Sequence, residues 1–209
     1  MARPRTLPKA KQSYTSRNFD IVAIGASAGG LNALIQVLRA LPGDFPSSIV
    51  VVQHLAPTHK SWMADLLGRS ITLKVKQAEH GEILLPGTVY TAAPDQHLLV
   101  GPGKIRLAHT QLVRFSRPSV DLLFESVAGT YGSRSIGVVL SGSGMDGADG
   151  IRTIKQAGGV TMAQVPQTAE FRPMPEAAVA TGCVDFVLKL EDIGQKLMQL
   201  CCKLTDSHE

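Results

Sequence analysis

Between Asp20 and Leu41 the chain reads as a buried strand, a glycine-rich turn and an amphipathic helix in direct succession, the opening unit of an α/β fold. Ile21, Val22, Ala23 and Ile24 form a short continuous apolar run, as expected of a strand covered on both faces. Leu31, Leu34, Ile35 and Leu38 then recur at helical spacing until Pro42-Gly43 stops the helix. Between them, Gly25-Ala26-Ser27-Ala28-Gly29 fits the G-x-S-x-G pattern of a nucleophile elbow. Its small residues let the backbone turn sharply and lift the serine hydroxyl clear of the sheet. Backbone amides at the helix start point where an oxyanion would form. Two other readings fit the same residues. Gly25-x-Ser27-x-x-Gly30 is one substitution from the dinucleotide-binding fingerprint, and Ser27 could simply cap the helix.

A length of 209 residues suits one α/β domain with a core of its own. The formal charge of +4 is concentrated at the start, where Arg3, Arg5, Lys9, Lys11 and Arg17 precede the first acidic residue. The remaining body carries 16 basic against 17 acidic residues. That balance argues against a nucleic-acid-binding face and divides the chain into a basic flexible tail, 1–18, and a domain, 19–205. The first residues lack the apolar core of a secretory signal, and no run is apolar enough for membrane insertion. Cys183, Cys201 and Cys202 form neither a disulfide framework nor a metal-ligand pattern, which suits a reducing cytoplasm.

Ser48 to Gln53 reads as a second buried strand ending at His54, and Pro57-Thr58 introduces a helix through Trp62, Met63, Leu66 and Leu67 that Gly68 closes. Short alternating runs from Thr72 to His109, broken by Pro and Gly pairs, read as an antiparallel insertion. Within it, Leu98–Val100 and Lys104–Leu107 form a hairpin. Helical spacing returns at Val120, Leu123, Phe124 and Val127; the strand Ile136–Leu140 then runs into the loop Ser141–Gly147 and a helix bearing Ile151 and Ile154. Val160–Ala163 and Phe186–Leu190 are further strands, with a short helix at Pro175-Glu176 and a terminal one through Ile193, Leu197 and Leu200. The expected fold is a doubly wound, mostly parallel sheet with helices on both faces and a small antiparallel hairpin insertion. Such sheets bind ligands beyond the carboxyl ends of their strands, where Ser27, His54 and Asp146 all fall.

The chemistry favours that trio. A serine hydroxyl attacks poorly unless a base takes its proton; imidazole suits the task, and a carboxylate fixes its tautomer. The order Ser, His, Asp differs from that of α/β-hydrolases. The dinucleotide reading weakens because Gln53-His54 stands where an acidic residue should meet the ribose. A Walker loop fails for want of Gly-Lys-Ser/Thr. Calcium binding at Asp146–Gly150 fails because Ala157 falls where a glutamate is needed. His54 and His59 lack a third ligand for a metal.

GASAGG, VVQHLAP and LSGSGMDGADG, with RPSVDLLF between and PMPEAA after, resemble the catalytic domain of the chemotaxis protein-glutamate methylesterase family (CheB-type) over about Asp20 to Leu200. The resemblance implies a cytoplasmic serine hydrolase acting in chemotaxis signal transduction without cofactor or metal. Its nucleophile would be Ser27, its base Ser27's neighbour in the triad, His54, and its acid Asp146. Amides of Ala28 and of the Ser143, Gly144 and Met145 loop would hold the oxyanion. Methylated chemoreceptor helices would be the substrate, demethylated at glutamate γ-methyl esters and in some members deamidated at glutamine. A receptor methyltransferase or an upstream response regulator would be further partners. Family members usually carry a receiver domain upstream, where this sequence has only its basic segment. Ala28 replaces a frequent threonine, and Ser143 a methionine; QHLAPTHKSWMADLL is more like stand-alone or hybrid versions. Two alternatives stay open: a non-catalytic module that binds an anion or a partner at the glycine-rich turn, and a carboxylesterase for small esters. Arg114 and Arg117 read as solvated more readily than as a receptor contact.

Overall fold

A computed structural model describes residues 14–16, 19–54 and 62–204. In chain order the elements are β1 (Tyr14–Ser16), β2 (Ile21–Ala26), α1 (Gly30–Arg39), β3 (Ser48–Gln53), α2 (Met63–Gly68), β4 (Lys74–Gln77), β5 (Thr88–Thr91), β6 (His97–Gly101) and β7 (Lys104–Ala108). They continue with α3 (Val120–Tyr131), β8 (Ser135–Val139), α4 (Ala148–Gln156), β9 (Val160–Gln164), α5 (Pro173–Ala180), β10 (Phe186–Leu188), α6 (Leu190–Cys201) and β11 (Cys202–Leu204).

Seven strands form one sheet in the order β10-β9-β8-β2-β3-β5-β4, and every pairing within it is parallel. Alternation along β2 and β3 divides the core in two. Val22, Ile24, Ile49 and Val51 pack with Leu34, Leu38, Leu67 and Leu197 of α1, α2 and α6 on one face. Ile21, Ala23, Val50 and Val52 pack with Leu123, Phe124, Ile151 and Ala178 of α3, α4 and α5 on the other. Because both faces are covered, β2, β3 and β8 are buried at every position, which is why they read as continuous apolar runs.

The antiparallel insertion is smaller than its sequence suggests. β6 and β7 do pair as an antiparallel hairpin, but β4 and β5 join the main sheet as parallel strands. β4 is the edge strand, partly exposed along its length, so its mixed polarity reads as a hairpin strand; β5 is buried throughout despite its two threonines. β1 pairs antiparallel with β11, a contact between the two ends of the chain that neither segment's composition signals. Pro57-Thr58, expected to introduce α2, lies outside the described residues; the described helix begins at Met63.

Candidate active site

Winding reverses between β2 and β8: the chain builds outward from β2 through β3 to one side, then returns to add β8 and β9 on the other. A crevice forms at such a switch point, beyond the strands' carboxyl ends. Ser27 follows β2, His54 follows β3 and Asp146 follows β8.

The turn after β2 is held from both neighbouring strands. The Ser27 amide donates to the Ser141 carbonyl at 3.0 Å, and the Gly30 amide donates to the Ser27 carbonyl at 2.8 Å. Gly29 caps α1 with φ of 71°, a conformation that favours glycine, and no side chain caps the helix. Gly30 is needed for a different reason, since a Cβ there would lie 2.1 Å from Gln53 Oε1 and 2.7 Å from Ala26 Cβ. Gln53 itself is a clamp: its Nε2 donates to the carbonyls of Ser27, at 2.5 Å, and His54, at 3.2 Å. Ala26 pairs with Gln53 in register, and the His54 amide donates to the Ala26 carbonyl at 3.1 Å. Ser27 and His54 are therefore the next residues on adjacent parallel strands.

His54, 17% exposed, sets its Nε2 2.9 Å from Asp146 Oδ2. Asp146 is 4% exposed and accepts three more hydrogen bonds: from Ser119 Oγ at 3.0 Å, the Val120 amide at 2.7 Å and the Asp121 amide at 2.9 Å. These amides open α3, so the carboxylate sits on a helix N-terminus. Burial alone would push the Asp146 carboxyl up; the His54 ring and the amides of Asp121 and Val120 outweigh it and hold it below the usual carboxylate range. An ionised carboxylate only accepts, so His54 Nε2 carries the proton and Nδ1 is left as the acceptor.

Asp121 repays the arrangement. Its Oδ1 accepts the amides of Gly147 and Gly150, both at 2.8 Å, at the N-terminus of α4. Asp146 thus caps α3, which carries Asp121, and Asp121 caps α4, which follows Asp146. Burial pushes Asp121 up to about 6, the charge of Asp146 adds to the rise, and the Gly150 and Gly147 amides oppose it. Arg114 Nε donates to Asp121 Oδ2 at 3.2 Å, and its other arm pairs with Asp149. Arg117 pairs with Asp95 and donates to the Thr110 carbonyl. Neither arginine is simply solvated, as the sequence suggested.

Two clefts open beside His54. The larger, about 280 Å³, is lined by His54, Ser143, Gly144, Met145 and Asp146 together with Arg114, Phe115 and Ser116. The smaller, about 180 Å³, is bounded by Leu112, Phe115 and Pro118. The Ser143, Gly144 and Met145 loop is exposed there, while Ser27 and Ala28 lie on the neighbouring turn, outside the lining of either cleft. Ser141 Oγ donates to the Ala28 carbonyl at 2.8 Å. Met174 packs against Gly142, where a Cβ would meet its Sδ at 2.1 Å and Ser27 Cβ at 2.8 Å. Gln53, Ser119 and Asp121 carry no role in the sequence reading. In the sequence Gln53 stands out only as a residue that is not acidic, and Asp121 resembles an ordinary acid in a first helical turn.

A family model described as CheB methylesterase matches residues 22–197. The chain is 46% identical over 181 residues to an Anaeromyxobacter dehalogenans protein named "Protein-glutamate methylesterase/protein-glutamine glutaminase 2", covering 87% of this chain and 53% of that protein. It is 40% identical over 191 residues to "Protein-glutamate methylesterase FrzG" of Myxococcus xanthus, covering 91% of this chain and 57% of that one. The chain thus spans little more than half the length of these two relatives. The crystal structure of the Thermotoga maritima CheB methylesterase catalytic domain superimposes with a TM-score of 0.83 at 37% identity, over 87% of this chain and 98% of that domain. The matched extent and the overall structural likeness agree, and the chain belongs to the CheB methylesterase family.

Proposed function

We propose that this chain hydrolyses glutamate γ-methyl esters on chemoreceptors, with Ser27 as nucleophile, His54 as base and Asp146 as the group that orients it. The observation that carries the reading is the 2.9 Å contact between His54 Nε2 and a buried, multiply bonded Asp146, at the strand end beside the Ser27 turn. The relatives' names supply the substrate class.

With Nε2–H engaged by Asp146, His54 Nδ1 takes the proton from the Ser27 hydroxyl as its oxygen attacks the ester carbonyl. This is the reverse of the serine-protease assignment, in which Nδ1 faces the acid. The imidazolium forms against an ionised carboxylate, which offsets its charge. Amides of Ala28 and the Ser143–Met145 loop receive the oxyanion. His54 returns the proton to the departing methoxide; methanol leaves, and water attacks the glutamyl-enzyme by the same relay. Deamidation of glutamine, the second activity in the Anaeromyxobacter relative's name, follows the same path with ammonia leaving.

Methanol release from membranes bearing methylated receptors tests the assignment. Ser27→Ala should lower turnover on the order of 10⁴-fold or more. Near-normal release by that variant would refute it.

A further inference from the structure

Among the described residues nine large apolar side chains are exposed, and three of them, Leu112, Phe115 and Met145, line the clefts beside His54. Scattered exposed apolar residues need no explanation, but a group around a reactive base does. Phe115 is 97% exposed and belongs to both clefts.

Its backbone adds a second observation. Val113 and Ser116 exchange hydrogen bonds of 3.1 and 2.8 Å across a two-residue hairpin turn. Both central residues have positive φ, 49° at Arg114 and 63° at Phe115, as in a type I′ turn. Asn-Gly forms such turns readily, whereas bulky residues adopt them only against a steric penalty. Arg114 has an internal purpose, because its guanidinium ties the turn to Asp121 and Asp149. Phe115 packs against almost nothing. The turn holds an aromatic ring in water, at a conformational cost, between two clefts that meet at His54.

The rim's charge narrows what could cover that ring. Arg114 and Arg117 are already paired with Asp121, Asp149 and Asp95, which leaves an apolar ridge. Such a ridge fits the apolar side of an amphipathic helix, whose side chains three and four positions apart flank a common point. We propose that the Val113–Ser116 turn, with Phe115 at its apex, is the docking surface for a helix of the protein substrate. The helix lays apolar residues on Leu112, Phe115 and Met145 while its esterified side chain reaches past His54 toward the Ser27 turn. This rests on the esterase reading and adds what selects a helical protein over a free ester.

Two substrates with the same reacting group test it: an amphipathic helical peptide carrying a glutamate γ-methyl ester, and N-acetylglutamate amide γ-methyl ester. The readout is the ratio of kcat/KM for the peptide to that for the small ester. Phe115→Ser should lower this ratio on the order of tenfold, mainly through the peptide's KM, and Phe115→Leu should restore most of it. An unchanged ratio, equal losses on both substrates, or a wild-type protein with no preference for the helix would overturn the docking surface while leaving the esterase intact. Hydrolysis of neither substrate by the wild-type protein would remove the esterase reading, and the docking surface with it.

Discussion

Asp121 and Asp146 each satisfy the amides of the other's helix, and burial pushes both carboxyls up, yet their net shifts run in opposite directions. Asp146 has the His54 ring as a partner and stays low, while Asp121 is pushed up to about 6 from 3.8. A carboxyl that binds its proton more tightly folded than unfolded loses stability as pH rises. Its contribution is present below about 4, declines between about 4 and about 6, and is absent above that. Asp146 has the opposite sign: its contribution is present above its unfolded value and is lost as pH falls below about 3.8. The windows separate. Asp121→Asn keeps an oxygen for Gly147 and Gly150 but has no proton to titrate. The stability difference between wild type and this variant, measured by urea unfolding at successive pH values, should therefore move against the wild type by about 1–3 kcal/mol from pH 4 to 6. A flat difference would remove the linkage.

At the scale of elements, the strand–turn–helix unit of β2 and α1 is legible because strand burial, glycine spacing and helical period all agree on one answer. The partners that hold it are not. Gln53 looks like the polar end of a buried strand, and only parallel pairing with β2 brings its amide onto the Ser27 carbonyl. Gly30 is legible as part of a glycine pair, but the Gln53 contact that demands it comes from another strand. Gly30→Ala should force Gln53 aside, costing about 1–3 kcal/mol of stability by overpacking. The displaced Ser27 turn should lower turnover on the order of tenfold to a hundredfold. Thermal unfolding and methanol release on the same preparation check both; an unperturbed kcat would show that the Gln53 clamp does not position the nucleophile. β4 reads as a hairpin strand because an edge strand keeps one side in solvent, and polarity alone cannot tell a parallel edge from a hairpin. The caps exchanged by α3 and α4 lie far apart in the chain and leave no local signal.

At the scale of the molecule, the doubly wound sheet follows from alternating strands and helices, and its crossover order puts β2 beside both β3 and β8. That order sets the carboxyl ends of β2, β3 and β8 side by side, and the strands that precede Ser27, His54 and Asp146 are legible because each is buried throughout. The docking turn is not legible: neither Arg114 nor Phe115 is a residue type that signals positive φ, and the pairing of Arg114 with Asp121 and Asp149 is tertiary. The account as a whole depends on Ser27 being activated through His54. Reaction with a fluorophosphonate, followed by mass spectrometry of the modified protein, measures that directly. The adduct should form on Ser27 in the wild-type protein, and at least a hundredfold more slowly in His54→Gln, an order-of-magnitude expectation for loss of the base. An adduct on another residue, or equal rates in the two proteins, would contradict it.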